Sequence, residues 1–150
     1  MDFKIIEADE NYIDQVGNLF DLYRQFYKYD SNIIESTNFI RDRIRKKESK
    51  IFIGINENKK AVGFVQLYET FGSLDLGKII ILYDLFVDKK YRKNKIGRNL
   101  MIKSHNYARS IKAKRIQLST AIDNFIGQSL YESLGYIKDK DFYTYDFEIK

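Results

Sequence analysis

The chain has 150 residues, no cysteine, no proline and a single histidine, and its 26 Lys and Arg against 21 Asp and Glu give a formal charge of +5. This composition excludes disulfides, thiolate metal sites, a cysteine nucleophile and any multi-histidine centre, so no metal is expected. An apolar fraction of 44% suits one core, the length suits a single domain over 1–150, and no apolar run approaches the roughly 20 residues of a membrane span.

FKII reads as a short strand. Ile13, Val16, Leu19, Phe20, Tyr23 and Phe26 then recur at spacings of three and four, which predicts an amphipathic helix ending near Tyr29. Ser36, a good N-cap, stands before Phe39, Ile40 and Ile44 and predicts a second, short helix. Its basic stretch RDRIRKK reads as a solvated face rather than a nucleic-acid surface. KIFIGIN, the turn NENKK and AVGFVQLYE predict a β-hairpin. KIIILYDLFV has the composition of a central strand, interrupted by one acid, Asp84. The basic loop DKKYRKNK leads into a helix from about Ile96 to Ile111, with Leu100, Ser104 and Ala108 on a narrow face. KRIQLST reads as a strand, FIGQSLYESLG as a helix closed by Gly135, and YIKDKDFYTYDFEI as a terminal pair of strands. The order βααβββαβαββ predicts an α/β (α+β) fold with a mixed sheet of six or seven strands flanked by about four helices. The opening MDFKIIEADENY carries acids where a signal peptide carries a basic patch, so with no cysteine a cytoplasmic setting is expected.

A strand, a tight basic loop and a helix N-terminus in succession form an anion site, because N–H groups of the first helical turn lack intrahelical partners and carry partial positive charge. Arg92, Lys93, Asn94, Lys95, Ile96 and Gly97 resemble the R-x-x-G-x-G/A loop of the GNAT acyl-CoA N-acyltransferases. Val87 to Arg92 mirrors that family's V-x-P-x-Y-R entry, with Lys89 at the usual proline. Lys95 replaces the first glycine, so it must avoid positive φ or accept strain. A second block, Asn124, Gly127, Leu130, Tyr131, Glu132, Gly135 and Tyr136, resembles the family's N-x-x-A-x-x-L-Y-E-x-x-G-F/Y segment, with Gly127 at the usual alanine. The resemblance extends over the chain and is strongest from Ile79 onward.

The resemblance implies acetyl-CoA as cofactor, its pyrophosphate on the loop from Arg92 through Arg98. Its pantetheine would lie on backbone groups of Leu85, Phe86 and Val87, where the central strand and KRIQLST splay apart. An N–H near Phe86 or Val87 would serve as oxyanion donor. Asn124 either contacts the cofactor or caps the following helix. Tyr131, also at the cofactor, is the candidate general acid for the departing thiolate, with packing on the sheet as the alternative. Asp84, an acid in an apolar run, is expected to have a raised pKa, as a general base or as a structural or amine-binding carboxylate. The glutamate that precedes this aspartate in diamine-acetylating relatives is Tyr83 here. The aromatic segment LFDLYRQFYKYD could hold an ammonium through cation–π contacts, and the resemblance places Tyr27, Tyr29 and Glu35 at the acceptor side. His105 reads as a helix-flank residue.

The leading functional reading is an acetyl-CoA-dependent N-acetyltransferase in which a primary amine of a small molecule or peptide attacks the thioester directly. Lys95 and the missing glutamate keep open a non-catalytic acyl-CoA-binding module. The +5 charge and RDRIRKK keep open an RNA-directed, toxin-like acetyltransferase acting on charged tRNA. Neither membrane nor nucleic acid is expected as a partner, and FYTYDFEI offers an edge for a homodimer.

Overall fold

The computed structural model describes residues 2–150, which form two compact units, one extending to Ser119 and the other Thr120–Lys150. The first unit holds a five-stranded sheet in sequence order: β1 (Lys4–Glu7), β2 (Lys50–Ile55), β3 (Ala61–Gly72), β4 (Gly77–Val87) and β5 (Ile116–Leu118). Every pairing is antiparallel except β4 with β5, as the helical crossover between those two requires. Three helices cover this sheet: α1 (Ile13–Phe26), α2 (Ile33–Arg45) and α3 (Ile96–Ser110). Along β2, Ile51, Ile53 and Ile55 join Val16, Leu19, Phe20 and Ile40 in one cluster. The alternate residues Phe52 and Gly54 turn to α3, where the Phe52 and Tyr107 rings lie 5.8 Å apart. A Cβ on Gly54 would come within 2.9 Å of Ile96 Cγ2, so glycine lets α3 approach the strand. The predicted narrow face of α3 is buried as expected, at Leu100, Ser104 and Ala108.

The fold differs from the sequence expectation in three places. Helix α1 ends at Phe26, and the chain turns through Lys28 at φ 66°. Helix α2 begins earlier than expected: its N-cap is Asn32, whose side chain accepts from the Glu35 N–H at 3.2 Å. Ser36 is instead a buried residue of the first turn that donates to Asp21. The third difference is the terminal pair of strands. Residues 137–150 form no strand and every one is exposed, so the sheet has five strands rather than six or seven and the order is βααβββαβα. Period-two alternation supplies a face, whereas a strand needs a ladder, and α4 (Phe125–Ser133), the regular element of the second unit, cannot provide one.

Two local expectations hold. Gly135 closes α4 at φ +91°, with the Gly135 N–H donating to the Glu132 carbonyl and the Tyr136 N–H to the Tyr131 carbonyl, the paired bonds of a glycine C-cap. The basic side of α2 is a solvated, neutralised face: Arg41, Arg43 and Arg45 pair with Asp14, Glu48 and Glu10.

Candidate functional site

Between β3 and β4 the register slips. Gln66 pairs with Asp84 but Leu67 pairs with Leu82, which leaves Tyr83 as an extra residue on β4. Such a bulge bends its strand and re-aims the neighbouring side chains. The carbonyl of Tyr83 accepts a hydrogen bond from Tyr23 Oη of α1 at 3.3 Å. Asp84 beside it is 3% exposed, and its Oδ2 accepts from Gln66 Nε2 at 2.6 Å. Gln66 is itself buried, and Ser49 Oγ donates to its Oε1 at 2.8 Å, which fixes the amide with its NH2 toward the carboxylate. Burial pushes the Asp84 carboxyl from the ordinary 3.8 up to about 6, against the downward pull of hydrogen bonds from Gln66 and Tyr23. Burial and the Asp84 charge in turn drive the Tyr23 hydroxyl well above its usual range, so it stays protonated as a donor. A cavity of about 480 Å³ opens at this point, lined by Phe20, Phe39, Tyr68, Ile81, Tyr83 and Asp84. The arrangement can accept a proton near neutral pH at the floor of an aromatic pocket.

The other end of β4 offers backbone groups. Its ladder with β5 runs only from Ile80 to Leu82, and among the described residues no strand covers that edge from Tyr83 to Val87. The Asp88 N–H donates to the Val62 carbonyl on the β3 side. Antiparallel alternation therefore turns Phe86 toward β3 and directs the N–H and C=O groups of Leu85 and Val87 to the open edge. In agreement, the Val87 carbonyl accepts from Arg92 Nε at 2.9 Å, while the Arg92 guanidinium lies 5.5 Å from the Phe86 ring centre.

The chain then makes a 3-10 turn over Lys89–Tyr91, capped by Asp88, and enters α3 through Lys93 at φ 66° and Lys95 at φ 61°. Lys95 thus accepts the left-handed conformation, a strain of about 1 kcal/mol or more for a residue with a Cβ. Asn94 Nδ2 braces the loop by donating to the carbonyls of Tyr91 and Arg92. No side chain caps α3 and no acid stands in its first turn. The N–H groups of Ile96 and Gly97 therefore start a helix whose approach carries Arg92, Lys93 and Lys95 and whose first turn carries Arg98, a donor set suited to a polyanion. An extended, amide-bearing chain fits the neighbouring edge of β4 in the manner of an added strand.

In the second unit Asn124 is the N-cap of α4. Its Oδ1 accepts from the Gly127 N–H at 3.1 Å and its Nδ2 donates to Thr120 Oγ1 at 3.0 Å. A Cβ on Gly127 would stand 2.6 Å from Asn124 Nδ2, so a larger residue there would make the Asn124 amide shift. Tyr131 lies on α4 with its ring 6.1 Å from that of Tyr136.

The structure brings Asp84, Leu85 and Val87 onto one strand and joins them to the loop of Arg92, Lys93, Asn94, Lys95, Ile96, Gly97 and Arg98. Tyr27, Tyr29 and Glu35 do not line the cavity: Tyr27 ends α1 against Tyr23, Tyr29 lies under the Arg24 guanidinium, and Glu35 is exposed in the first turn of α2. His105 is on α3 as expected, its pKa lowered by burial and by Arg109. Sequence reasoning missed Gln66 and Ser49, which hold Asp84, and the cavity rings of Phe20, Phe39 and Tyr68. The visible signal was a lone glutamine inside the apolar strand AVGFVQLYE.

The chain is similar to known proteins in sequence and in fold. Residues 16–136 match the family model described as Acetyltransferase (GNAT) family. Uncharacterized N-acetyltransferase YhfO of Bacillus subtilis (strain 168) is 38% identical over 130 residues, covering 87% of each chain. A probable acetyltransferase of Haemophilus influenzae is 31% identical over 133 residues, covering 89% of each. A crystal structure of a probable acetyltransferase superposes with a TM-score of 0.91 at 34% identity over 98% of both chains.

Proposed function

The chain belongs to the acetyltransferase (GNAT) family and is an acyltransferase, and from that premise we propose that it N-acetylates a primary amine of a small molecule or peptide, using acetyl-CoA. The observation that carries the reading is Asp84. It is a buried carboxylate poised at about 6 on a cavity floor, one residue from the strand edge where Leu85 and Val87 offer backbone groups. The loop from Arg92 to Arg98 and the N–H groups of Ile96 and Gly97 would hold the pyrophosphate, and the backbone groups of Leu85 on the open edge a pantetheine amide. When bound, acetyl-CoA supplies an acetyl group on a thioester.

Asp84 accepts a proton from the acceptor ammonium and frees its lone pair, a transfer suited to a carboxyl that titrates near neutrality. The family motif that contains Tyr131 on α4 supports it as the acid that would return a proton to the departing sulfur. In balance, a C–N bond would form as a C–S bond breaks, the sulfur would gain one proton and one net proton would leave to solvent. The Val87 N–H, on the open edge, would be placed to donate to the thioester carbonyl oxygen. Asn124 caps α4 and thereby sets the start of the helix that carries Tyr131. One GNAT domain spans 1–150, a reading supported by a family match that crosses from the first unit into the second. No helix among the described residues is long and apolar enough to cross a membrane, and a cytoplasmic setting accords with a cysteine-free chain.

The test pairs calorimetry with CoA release over an amine panel. Acetyl-CoA binding should vanish in Gly97→Asp, which sets a carboxylate against the pyrophosphate. Tyr131→Phe should lower kcat about 10- to 100-fold with binding retained. Unchanged binding by a folded Gly97→Asp protein overturns the cofactor site, and binding without CoA release for any amine reduces the chain to an acyl-CoA-binding module.

A further inference from the structure

The lining of the cavity defines what kind of amine it takes. Phe20 and Phe39 stack at 5.3 Å and 18°, and Tyr68 and Tyr83 meet edge to face at 5.9 Å, so two aromatic pairs wall the space above Asp84. Ile81 completes an apolar surround, and Asp84 is the one charged residue in the lining. A cation beside the lining, Arg43, lies 4.3 Å from the Phe39 ring centre and is paired with Glu48 at 3.1 Å.

These features discriminate by charge count. One ammonium can be matched by Asp84, while its carbon body lies against aromatic faces that favour apolar and cationic groups alike. A second ammonium would find no second carboxylate in the lining, and on the Arg43 side the one acid nearby, Glu48, is already paired with that guanidinium. A carboxylate on the acceptor would oppose Asp84 and find Arg43 already engaged. Acetylation then removes the acceptor's charge, so the neutral amide loses its attraction to Asp84 and leaves.

We infer that the acceptor is a primary amine with a single positive charge, no anionic group and an aromatic or branched apolar body, rather than a polyamine or aminoglycoside. This rests on the reading of the cavity as the acceptor site. The same chemistry is found in arylalkylamines and in apolar N-terminal residues of peptides, and separate probes distinguish them.

The experiment measures kcat/KM by CoA release with 2-phenylethylamine, a phenylalanine-initiated peptide amide, spermidine and kanamycin. Either of the first two should exceed both polycations by at least about tenfold, the faster one identifying the source. Tyr83→Glu adds a second carboxylate to the lining and should narrow that gap at least about tenfold by raising spermidine. Should that variant fail to fold, Phe39→Ala should narrow it by lowering the aromatic amine alone. Spermidine or kanamycin equal to or better than the single-charge amines, or a preference untouched in the folded variants, overturns the inference and leaves acetyl transfer standing. If acetyl-CoA binds and no amine releases CoA, acetyl transfer itself fails and takes the inference with it.

Discussion

Two carboxylates of the first unit, Asp21 on α1 and Asp84 on β4, are each 3% exposed, yet their surroundings drive them in opposite directions. Burial raises the pKa of Asp21, but bonds from Ser31 Oγ, the Asn32 N–H, Ser36 Oγ and Gln25 Nε2 outweigh it and hold the group below its ordinary value. Asp84 has the Gln66 amide and Tyr23, too little to offset burial, and it rises to about 6 beside a cavity. Asp21 is a saturated knot that ties the α1–α2 connection. Asp84 retains acceptor capacity, which a structural carboxylate has no reason to keep and a proton acceptor needs.

The largest expected effect comes from Asp84→Asn, which keeps the shape and removes the base. We expect kcat/KM to fall by at least about 10²-fold and its rise with pH around 6 to disappear. Stability should move the other way. A native pKa above the unfolded 3.8 means that this group favours the fold fully below pH 4 and loses that contribution as pH rises through about 6. The variant should therefore exceed the parent by about 1–3 kcal/mol at pH 7, and denaturant melts across pH 4–7 should show the advantage closing toward acid. An unchanged pH–rate profile breaks the assignment.

Asp21→Asn should reverse those signs. An amide cannot accept from all four donors, so we expect a loss of about 2 kcal/mol at pH 7. A depressed native pKa places the stabilisation above the unfolded value near 4 and removes it as pH falls through the native one, so parent and variant should converge in acid. Melts in which the two variants shift in the same direction refute the comparison.

The two sites were unequally legible. Asp84 stood out because a charge inside KIIILYDLFV has no cheap explanation. Asp21 did not, since an acid in LFDLYRQ looks like one polar position of an amphipathic helix. Its burial depends on Ser31, Asn32 and Ser36 folding back, a tertiary event with no local period. For the same reason Ser36 read as a cap when it is a ligand of Asp21. The bulge at Tyr83 was invisible because alternation cannot reveal an unmatched residue, and the alternation of FYTYDFEI was visible with no ladder to complete it. Helix caps and loop motifs, set within a few residues, were read at Gly135, Asn124 and Arg92 to Gly97.

Gln66→Leu sharpens the contrast without touching Asp84. It removes the Gln66 Nε2 donor to the carboxylate, so the acidic limb of the pH–rate profile should move up by about one unit while the plateau at high pH holds. A limb that stays near 6 means that burial and Tyr23 alone set the titration.

Ser49→Ala should have the smallest effect, and its size decides how the Gln66 amide works. Ser49 Oγ donates to Gln66 Oε1 at 2.8 Å and so fixes which end of the amide faces Asp84. Ser49 is half-buried, so water can replace its hydroxyl, and the short bond from Nε2 to Asp84 continues to orient the amide. We therefore expect the limb to rise by no more than about half a unit, with kcat at high pH and the KM for acetyl-CoA unchanged. A shift as large as that of Gln66→Leu would mean that the amide turns once Ser49 is gone and presents its oxygen to the carboxylate. The donor that keeps Asp84 ionisable would then be a relay of two residues, with the outer one accessible to solvent.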